Sequence, residues 1–112
     1  MAKAALDRAA ESGAKLLINE INLGEVYYVL ARELSEDAAA YFYYERLPLL
    51  PIEVFSNSIE TVIAAAELKT GTGLHYLNCF AAVTARESST PLLTADRDFK
   101  RVEGEIKIKW LR

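Results

Sequence analysis

The stretch Pro91-Leu92-Leu93-Thr94-Ala95-Asp96-Arg97-Asp98 places two carboxylates directly after a short apolar run. An apolar run behind a proline predicts a strand inside an α/β sheet. Asp96 and Asp98 then follow its C-terminal end, the edge where parallel sheets bind ligands, and carboxylates there can hold a hard cation such as Mg²⁺. The alternative is that Asp96 caps the turn or the next helix, while Arg97, Asp98 and Lys100 form a solvated surface.

A second acid follows an apolar run in the same way. Residues 15–19 predict another strand, and the sequence continues into a helical pattern over residues 22–34. Glu25 is therefore predicted in or near the first turn of that helix, at the carboxyl edge of the sheet, where the helix dipole favours negative charge. Either Glu25 stabilises the helix by about 0.3–1 kcal/mol, as first-turn acids do, or it belongs to the same site as Asp96.

The third segment, residues 71–85, is predicted to be a loop running into a helix. Asn78 shares a helical face with Ala81, Ala82 and Ala85 through i+3, i+4 and i+7 spacing. Since a stripe of small residues lets a helix approach a sheet closely, Asn78 is predicted to point inward near the helix start. A buried amide needs hydrogen-bond partners, so Asn78 either bonds to loop backbone or occupies a site position where an amide replaces an acid.

Three segments resemble consecutive motifs of the PIN domain, most closely those of the VapC-type toxins of bacterial and archaeal toxin–antitoxin pairs. They are Asn22-Leu23-Gly24-Glu25-Val26-Tyr27-Tyr28, the helix with Asn78-Cys79-Phe80-Ala81-Ala82, and Leu93-Thr94-Ala95-Asp96-Arg97-Asp98-Phe99. The resemblance covers nearly the whole chain in order, including a closing strand at 106–111. It implies a three-layer PIN-like α/β fold, in which a parallel sheet is flanked by helices, as a single domain over residues 1–112.

The resemblance also implies an activity, because members of this family are endoribonucleases that depend on Mg²⁺ or Mn²⁺. It assigns catalysis to Glu25, Asp96 and Asn78. It assigns the metal to Glu25, Asp96 and Asp98. The implied reaction is a metal-assisted attack of water on an RNA phosphodiester. The implied partners are RNA, a cognate antitoxin and a second copy of the chain, in the cytoplasm.

Two departures from the family pattern lead us to expect weak metal binding and impaired catalysis. The family opens with a strand that ends in an aspartate, whereas this chain opens on a predicted helix over residues 2–12, and Asp7 lies inside that helix. The family's third acid, in a motif usually written Asp-Cys-Phe, is Asn78 here, and divalent-metal affinity depends on the charge of the ligands. The alternative function is a non-catalytic PIN-derived module for binding or dimerisation.

Composition agrees with one compact α/β domain. The 112 residues are 52% hydrophobic, enough for a buried sheet with helices on both faces. The formal net charge of −3 gives no global basic field to attract nucleic acid. Basic residues instead gather near the end of the chain, where a solvated strand edge is the alternative to a nucleic-acid contact: Lys100, Arg101, Lys107, Lys109 and Arg112.

The cysteine and histidine content excludes several other kinds of site. The single cysteine, Cys79, cannot form an internal disulfide, fits a reducing cytoplasm and is predicted to be a core residue. With His75 as the one histidine, a closed zinc site of nitrogen and sulfur ligands is excluded within one chain. A Ser/His/Asp hydrolase lacks its nucleophile-elbow motif, and no apolar run approaches the roughly 18–20 residues that span a bilayer.

Periodicity predicts parallel strands separated by helical segments. Ser35 and either Asn57 or Ser58 are predicted N-caps, and Gly13 and Gly71 are predicted helix stops. The predicted elements are helix 2–12, strand 15–19, helix 22–34, helix 36–46, strand 51–55, helix 58–69, helix 75–88, strand 91–94, a helical turn near 97–101, and strand 105–109.

Six aromatic residues are concentrated in two of the predicted helices: Tyr27, Tyr28, Tyr41, Phe42, Tyr43 and Tyr44. They cannot all face one core from two short helices, so some are predicted to form an exposed apolar surface, which is typical of a site for a partner. The family resemblance suggests homodimerisation or antitoxin binding there. Stacking of RNA bases on these rings is the third role considered for this surface, after homodimerisation and antitoxin binding.

Overall fold

The computed structural model describes the backbone of residues 2–111 and the side chains of residues 7–111. The elements are α1 (Ala2–Ser12), β1 (Leu16–Asn19), α2 (Glu20–Glu33), α3 (Glu36–Tyr41), a π-helix (Phe42–Arg46), a 3-10 helix (Leu47–Leu49), β2 (Ile52–Phe55), α4 (Ile59–Thr72), α5 (Tyr76–Glu87), β3 (Leu92–Thr94), a second 3-10 helix (Arg97–Val102) and β4 (Ile108–Trp110). The chain divides into two compact units, residues 1–55 and 56–112, called below the N-terminal unit and the C-terminal unit.

The N-terminal unit is built on the parallel pair β1–β2, in which Leu16 lies opposite Ile52 and Asn19 opposite Phe55. Helix α2 begins directly after β1 because the buried side chain of Asn19 accepts the backbone N–H of Ile21 at 2.9 Å. This bond satisfies one of the amide groups that a helix start leaves without a partner. No connecting loop therefore separates β1 from α2.

The early start of α2 corrects the predicted position of Glu25. The predicted helix began at residue 22, which placed Glu25 in or near its first turn. Helix α2 begins at Glu20 instead, so Glu20 is the acid of the first turn and the exposed Glu25 lies in the second. The stabilising dipole interaction proposed for Glu25 is therefore wrong, because the effect falls off beyond the first turn.

Five of the six aromatic residues are exposed in the N-terminal unit, as the sequence predicted for some of them: Tyr27, Tyr28, Tyr41, Tyr43 and Tyr44. The rings of Tyr27 and Tyr43 lie 6.4 Å apart, and those of Tyr43 and Tyr44 4.9 Å apart, both edge to face. We call these three residues the aromatic cluster. Tyr44 keeps 69% of its surface exposed, and the neighbouring Tyr28 keeps 59% beneath the guanidinium of Arg32.

The C-terminal unit packs α4 against α5 and pairs β3 with β4 in parallel, Leu92 opposite Ile108 and Thr94 opposite Trp110. Cys79 is fully buried within its core, which confirms its predicted position. The buried cluster is Ala65, Leu68, Leu74, Cys79, Phe80, Ala82, Val83, Phe99 and Val102. The predicted α/β class and parallel pairing are confirmed. Over residues 2–111, hydrogen bonds join the strands as two separate pairs.

The helix caps agree with the sequence at three positions and differ at a fourth. Ser35 and Ser58 cap α3 and α4, and Gly13 follows α1 with a φ of +75°. Gly71 is not a stop: α4 continues through it, and Gly73 ends the helix in the left-handed conformation at φ +73°. That conformation favours glycine, so the second glycine of Gly71-Thr72-Gly73 takes the capping position.

The predicted helix 36–46 contains a change of helix type. The α-helical hydrogen bonding stops at Tyr41 and continues as the π-helix and then as the 3-10 helix Leu47–Leu49. Pro48 lies at the start of this last turn. Because proline lacks an N–H group, the α-helical ladder cannot continue through it. Among residues 2–111, no helix is long and apolar enough to cross a membrane.

Candidate functional site

The turn after β3 orients the carboxylate of Asp96. The hydroxyl of Thr94, the last residue of β3, accepts the backbone N–H of Asp96 at 3.0 Å. Oδ1 of Asp96 in turn accepts the backbone N–H of Asp98 at 2.9 Å and caps the 3-10 helix Arg97–Val102. The predicted capping role of Asp96 is therefore confirmed, and this cap leaves Oδ2 to meet another element.

That other element is α5, where Asn78 occupies the first turn. Its amide nitrogen Nδ2 donates to Oδ2 of Asp96 and to Oδ2 of Asp98, at 3.2 Å in both cases. An amide NH₂ group carries two hydrogens, one for each carboxylate. Of the two interpretations offered by the sequence, a loop-backbone partner is wrong. The partners are the two predicted acids, Asp96 and Asp98.

Asp98 joins the start of α5 to the 3-10 helix. Its Oδ2 also accepts the backbone N–H of His75 at 3.0 Å, and its Oδ1 accepts Nε of Arg101 at 2.8 Å. Helix α5 has no cap from the His75 side chain, so the Asp98 carboxylate satisfies an amide group at the helix start. The alternative of a solvated surface holds for Arg97 and Lys100, which are exposed, whereas the Asp98 side chain is 26% exposed and bonded to three donors.

These donors stabilise the ionised form of Asp98. The hydrogen bond from the His75 backbone, followed by that from Arg101, holds the pKa of Asp98 below its ordinary value of 3.8. Asp98 is therefore a carboxylate at any pH near neutrality, with Arg101 offsetting its charge. Arg101 also donates through Nη1 to the carbonyl of Thr72 at 3.4 Å, which connects the 3-10 helix to the end of α4.

The donor set gives a partial fit to a divalent metal. One oxygen of Asp96 and one of Asp98 lie 3.2 Å from the same nitrogen, and carboxylate oxygens are the ligands that Mg²⁺ prefers. Among residues 7–111, however, no group of three or more His, Cys, Asp or Glu side chains is arranged to hold a metal ion. Glu25, the other predicted ligand, is an exposed residue of the N-terminal unit.

Basic and aromatic side chains follow the site along the chain. The guanidinium of Arg97 lies 5.6 Å from the ring centre of Trp110, which pairs with Thr94 across β3 and β4. Of the basic residues that the sequence grouped near the end of the chain, Arg101 is paired with Asp98. Three others are exposed, and Arg112 lies outside the described residues: Lys100, Lys107, Lys109.

Comparison with known proteins agrees with this fold and this set of motifs. The family model of the PIN domain matches residues 1–105, and the chain therefore belongs to the PIN domain family. Its fold is similar to that of a chain in the crystal structure of VapBC2 from Rickettsia felis bound to a DNA fragment from their promoter, with a TM-score of 0.73 and 18% sequence identity. The match covers 96% of this chain and 83% of that chain. No curated protein matches the sequence.

The family and the PIN-like α/β fold inferred from the three sequence motifs are thus confirmed. At 18% identity the structural match shows the fold alone. Two of the motifs meet in the C-terminal unit, where Asn78 contacts Asp96 and Asp98. The contact from Asp98 to the backbone of His75 has no counterpart in the sequence pattern, because the donor is a main-chain group 23 residues away.

Proposed function

We propose that the chain is a Mg²⁺- or Mn²⁺-dependent endoribonuclease of the VapC type, the toxin component of a toxin–antitoxin pair. The observation that carries this proposal is the convergence of Asn78, Asp96 and Asp98 beyond the C-terminal end of β3 in a PIN domain. The carboxyl ends of parallel strands are where α/β proteins bind ligands. An RNA substrate and a single unpaired cysteine both suit action in the cytoplasm.

In this proposal the site contains metal ligands, which are acids, and one positioning residue, which is an amide. Asp96 and Asp98 hold the metal, and Asn78 orients the pair. When bound, the metal supplies a Lewis acid for the phosphodiester and a site for the attacking water. Without metal, Oδ1 of Asp96 accepts the N–H of Asp98 and Oδ2 accepts the amide of Asn78. Arg101 offsets part of the negative charge through Asp98.

Basic residues beside the site supply contacts for the RNA backbone. Residues 97–111 contain five Lys or Arg and three Asp or Glu, a net charge of +2 in a chain whose total is −3. The exposed ammonium groups of Lys100, Lys107 and Lys109 are suited to phosphate, and such contacts weaken as salt rises. RNA affinity that falls steeply with salt, and falls further in a variant with all three lysines changed to glutamine, would support this assignment.

Metal affinity tests the proposed ligands directly. Asn78 brings no charge, so we expect weak binding of Mg²⁺ or Mn²⁺ by the wild-type chain. Asn78→Asp adds a third carboxylate and is expected to tighten binding about tenfold or more, since one further charge near a dication contributes more than 1 kcal/mol even at the dielectric of a protein surface. Calorimetry is the measurement, and Asn57→Asp is the matched control. Equal affinity for wild type and Asn78→Asp would place Asn78 outside the metal site.

Cleavage of RNA in Mn²⁺ tests the reaction itself. We expect little activity from wild type, more from Asn78→Asp, and none from the double variant Asn78→Asp/Asp96→Asn. Activity that survives the loss of Asp96 would place the chemistry at other residues. The antitoxin assignment predicts that a neighbouring gene encodes a small protein that forms a complex with the chain and suppresses this cleavage.

The alternative function is a non-catalytic PIN-derived binding or dimerisation module. The aromatic cluster favours it, because exposed aromatic surface of this kind marks protein interfaces. Sedimentation separates the two candidates when combined with the cleavage assay. A dimer that cleaves no RNA, even as Asn78→Asp in Mn²⁺, would establish the module. Cleavage that depends on Asp96 would establish the enzyme, whether the chain is a monomer or a dimer.

A further inference from the structure

The two carboxylates of the site have all four of their oxygens occupied by donors from the protein. Oδ1 of Asp96 accepts the N–H of Asp98, and Oδ2 accepts the Asn78 amide. Oδ1 of Asp98 accepts Arg101, and Oδ2 accepts both the Asn78 amide and the N–H of His75. Carboxylates that converge in this way repel one another unless positive charge or hydrogen-bond donors lie between them.

The group that lies between them is the amide nitrogen of Asn78, at 3.2 Å from an oxygen of each carboxylate. Each carboxylate directs one oxygen at this nitrogen. The electropositive NH₂ group therefore occupies the position that a cation shared by the two carboxylates would take. Asn78, Asp96, Asp98 and Arg101 together carry one net negative charge. An aspartate in place of Asn78 would raise this to two and would remove the bridging donors.

We propose that Asn78 is a positioning residue that bridges Asp96 and Asp98 in place of a cation, so that the carboxylate pair is assembled and stable without metal. The bridge connects the first turn of α5 to the turn after β3. A divalent ion that enters between the carboxylates has to displace two hydrogen bonds, so the folded wild-type chain gains little stability from metal. This inference concerns the metal-free fold and does not depend on ribonuclease activity.

Two substitutions remove the same amide but differ in the charge that they leave behind. Asn78→Leu keeps the approximate size of the side chain but leaves two carboxylates without a donor between them. Asn78→Asp brings a third carboxylate to the same point, which metal can compensate. Both variants are therefore expected to be less stable than wild type in EDTA, and only Asn78→Asp is expected to regain stability when metal is added. Asn57→Asp makes the same chemical change before α4 and serves as the control.

The test is thermal unfolding of the 112-residue chain, followed by circular dichroism, in EDTA and in millimolar MnCl₂. We expect the Tm of Asn78→Asp and Asn78→Leu to fall by about 5–10 °C in EDTA, since two charge-assisted hydrogen bonds are lost. Mn²⁺ is expected to restore several degrees to Asn78→Asp, while wild type, Asn78→Leu and Asn57→Asp stay within about 1 °C of their EDTA values. A wild-type chain stabilised by Mn²⁺ as strongly as Asn78→Asp would overturn the proposal. An Asn78→Leu chain as stable as wild type would also overturn it.

A second measurement on the wild-type fold keeps the proposal testable if the variants do not fold. In ¹⁵N-resolved NMR spectra, the two Asn78 side-chain N–H signals are expected to be separate, protected from exchange and unchanged by millimolar Mg²⁺. Asp96→Ala removes one acceptor and is expected to move them. Rapid exchange in the wild type, a large shift with Mg²⁺, or signals unaffected by Asp96→Ala would each contradict the bridge. None of these readouts uses RNA, so failure of the bridge and failure of the proposed ribonuclease activity are distinguishable.

Discussion

The backbone N–H of Asp98 donates to Oδ1 of Asp96 at 2.9 Å. This bond divides the structural work between two acids that the sequence places two residues apart. Asp96 caps the 3-10 helix that contains Asp98, while the Asp98 side chain reaches the backbone of His75 at the start of α5. Substitution of Asp96 and substitution of Asp98 are therefore expected to affect the stability of the fold differently.

Asp98→Ala is expected to destabilise the chain more than Asp96→Ala. Loss of the Asp98 carboxylate removes the acceptor for His75 and the partner of Arg101, at a cost of about 2–3 kcal/mol. Loss of the Asp96 carboxylate removes a helix cap, at a cost of about 1 kcal/mol. Urea unfolding of both variants measures the difference. The reverse order would show that the bond to His75 contributes little.

The lowered pKa of Asp98 predicts how stability depends on pH. Because the folded-state pKa lies below the ordinary value of 3.8, the carboxylate stabilises the fold above that pH. The stabilisation is lost as the pH falls below 3.8 and through the lower folded-state pKa. The free energy of unfolding of wild type should therefore exceed that of Asp98→Asn by a constant amount near neutrality, and this excess should shrink in acid. An excess that grows on acidification would contradict the assigned direction.

The two glycines at the end of α4 are expected to respond oppositely to alanine. Gly71 lies inside the helix, where a methyl group would meet no atom within 4 Å, so Gly71→Ala should stabilise by about 0.5–1 kcal/mol. Gly73 has a φ of +73°, so Gly73→Ala should destabilise by about 1 kcal/mol. Its added carbon would lie 3.5 Å from Arg101, an ordinary contact, which assigns the cost to the backbone. The denaturant midpoint is expected to rise for Gly71→Ala and to fall for Gly73→Ala, relative to wild type.

The thiol of Cys79 is expected to be inert in the folded protein. Its side chain is fully buried, Sγ lies 3.5 Å from the carbonyl of Leu74, and burial raises the pKa of the thiol. Since the thiolate is the reactive form, a thiol reagent should label Cys79 only after unfolding. Mass spectrometry after labelling with and without denaturant measures this. Rapid labelling of the native chain would mean that the core around Cys79 opens readily.

The aromatic cluster predicts self-association. Tyr44→Ser removes its most exposed ring, and we expect the dissociation constant of the dimer to rise about tenfold or more, since tyrosines are frequent interface hot spots. The free energy of unfolding should change by no more than about 0.5 kcal/mol. Ile59→Ser, which changes an exposed apolar residue of the C-terminal unit, is the control. Sedimentation of the variants measures the dissociation constants. A wild-type chain that remains monomeric would show that the aromatic cluster is not a dimer interface.

Local patterns in the sequence predicted the parts of this fold that depend on local interactions. The strands at residues 16–19 and 92–94 follow from apolar runs, and the caps at Ser35 and Ser58 follow from side chains that bond amides three residues on. The cap at Asp96 follows in the same way, two residues on. In each case the donor and acceptor are near neighbours, so the pattern alone determines the interaction.

The interactions that the sequence did not predict either join residues far apart along the chain or depend on which of two similar residues takes a role. The bond from Asp98 to His75 joins residues 23 apart and uses a backbone donor that carries no sequence signature. Gly71 and Gly73 are both competent to end α4, and the structure places the cap at the second. The family resemblance assigned Asn78, Asp96 and Asp98 to one site together with Glu25, but the direction in which the Asn78 amide faces required the structure.

The bridge formed by Asn78 also has a genetic consequence. Codons for asparagine and aspartate differ at the first base alone, so one transition in the gene would exchange the bridging amide for a third carboxylate. A single inherited change would thus convert a fold that assembles without metal into one whose stability depends on the supply of divalent ions in the cell. Selection for or against metal dependence would act on this chain through one nucleotide.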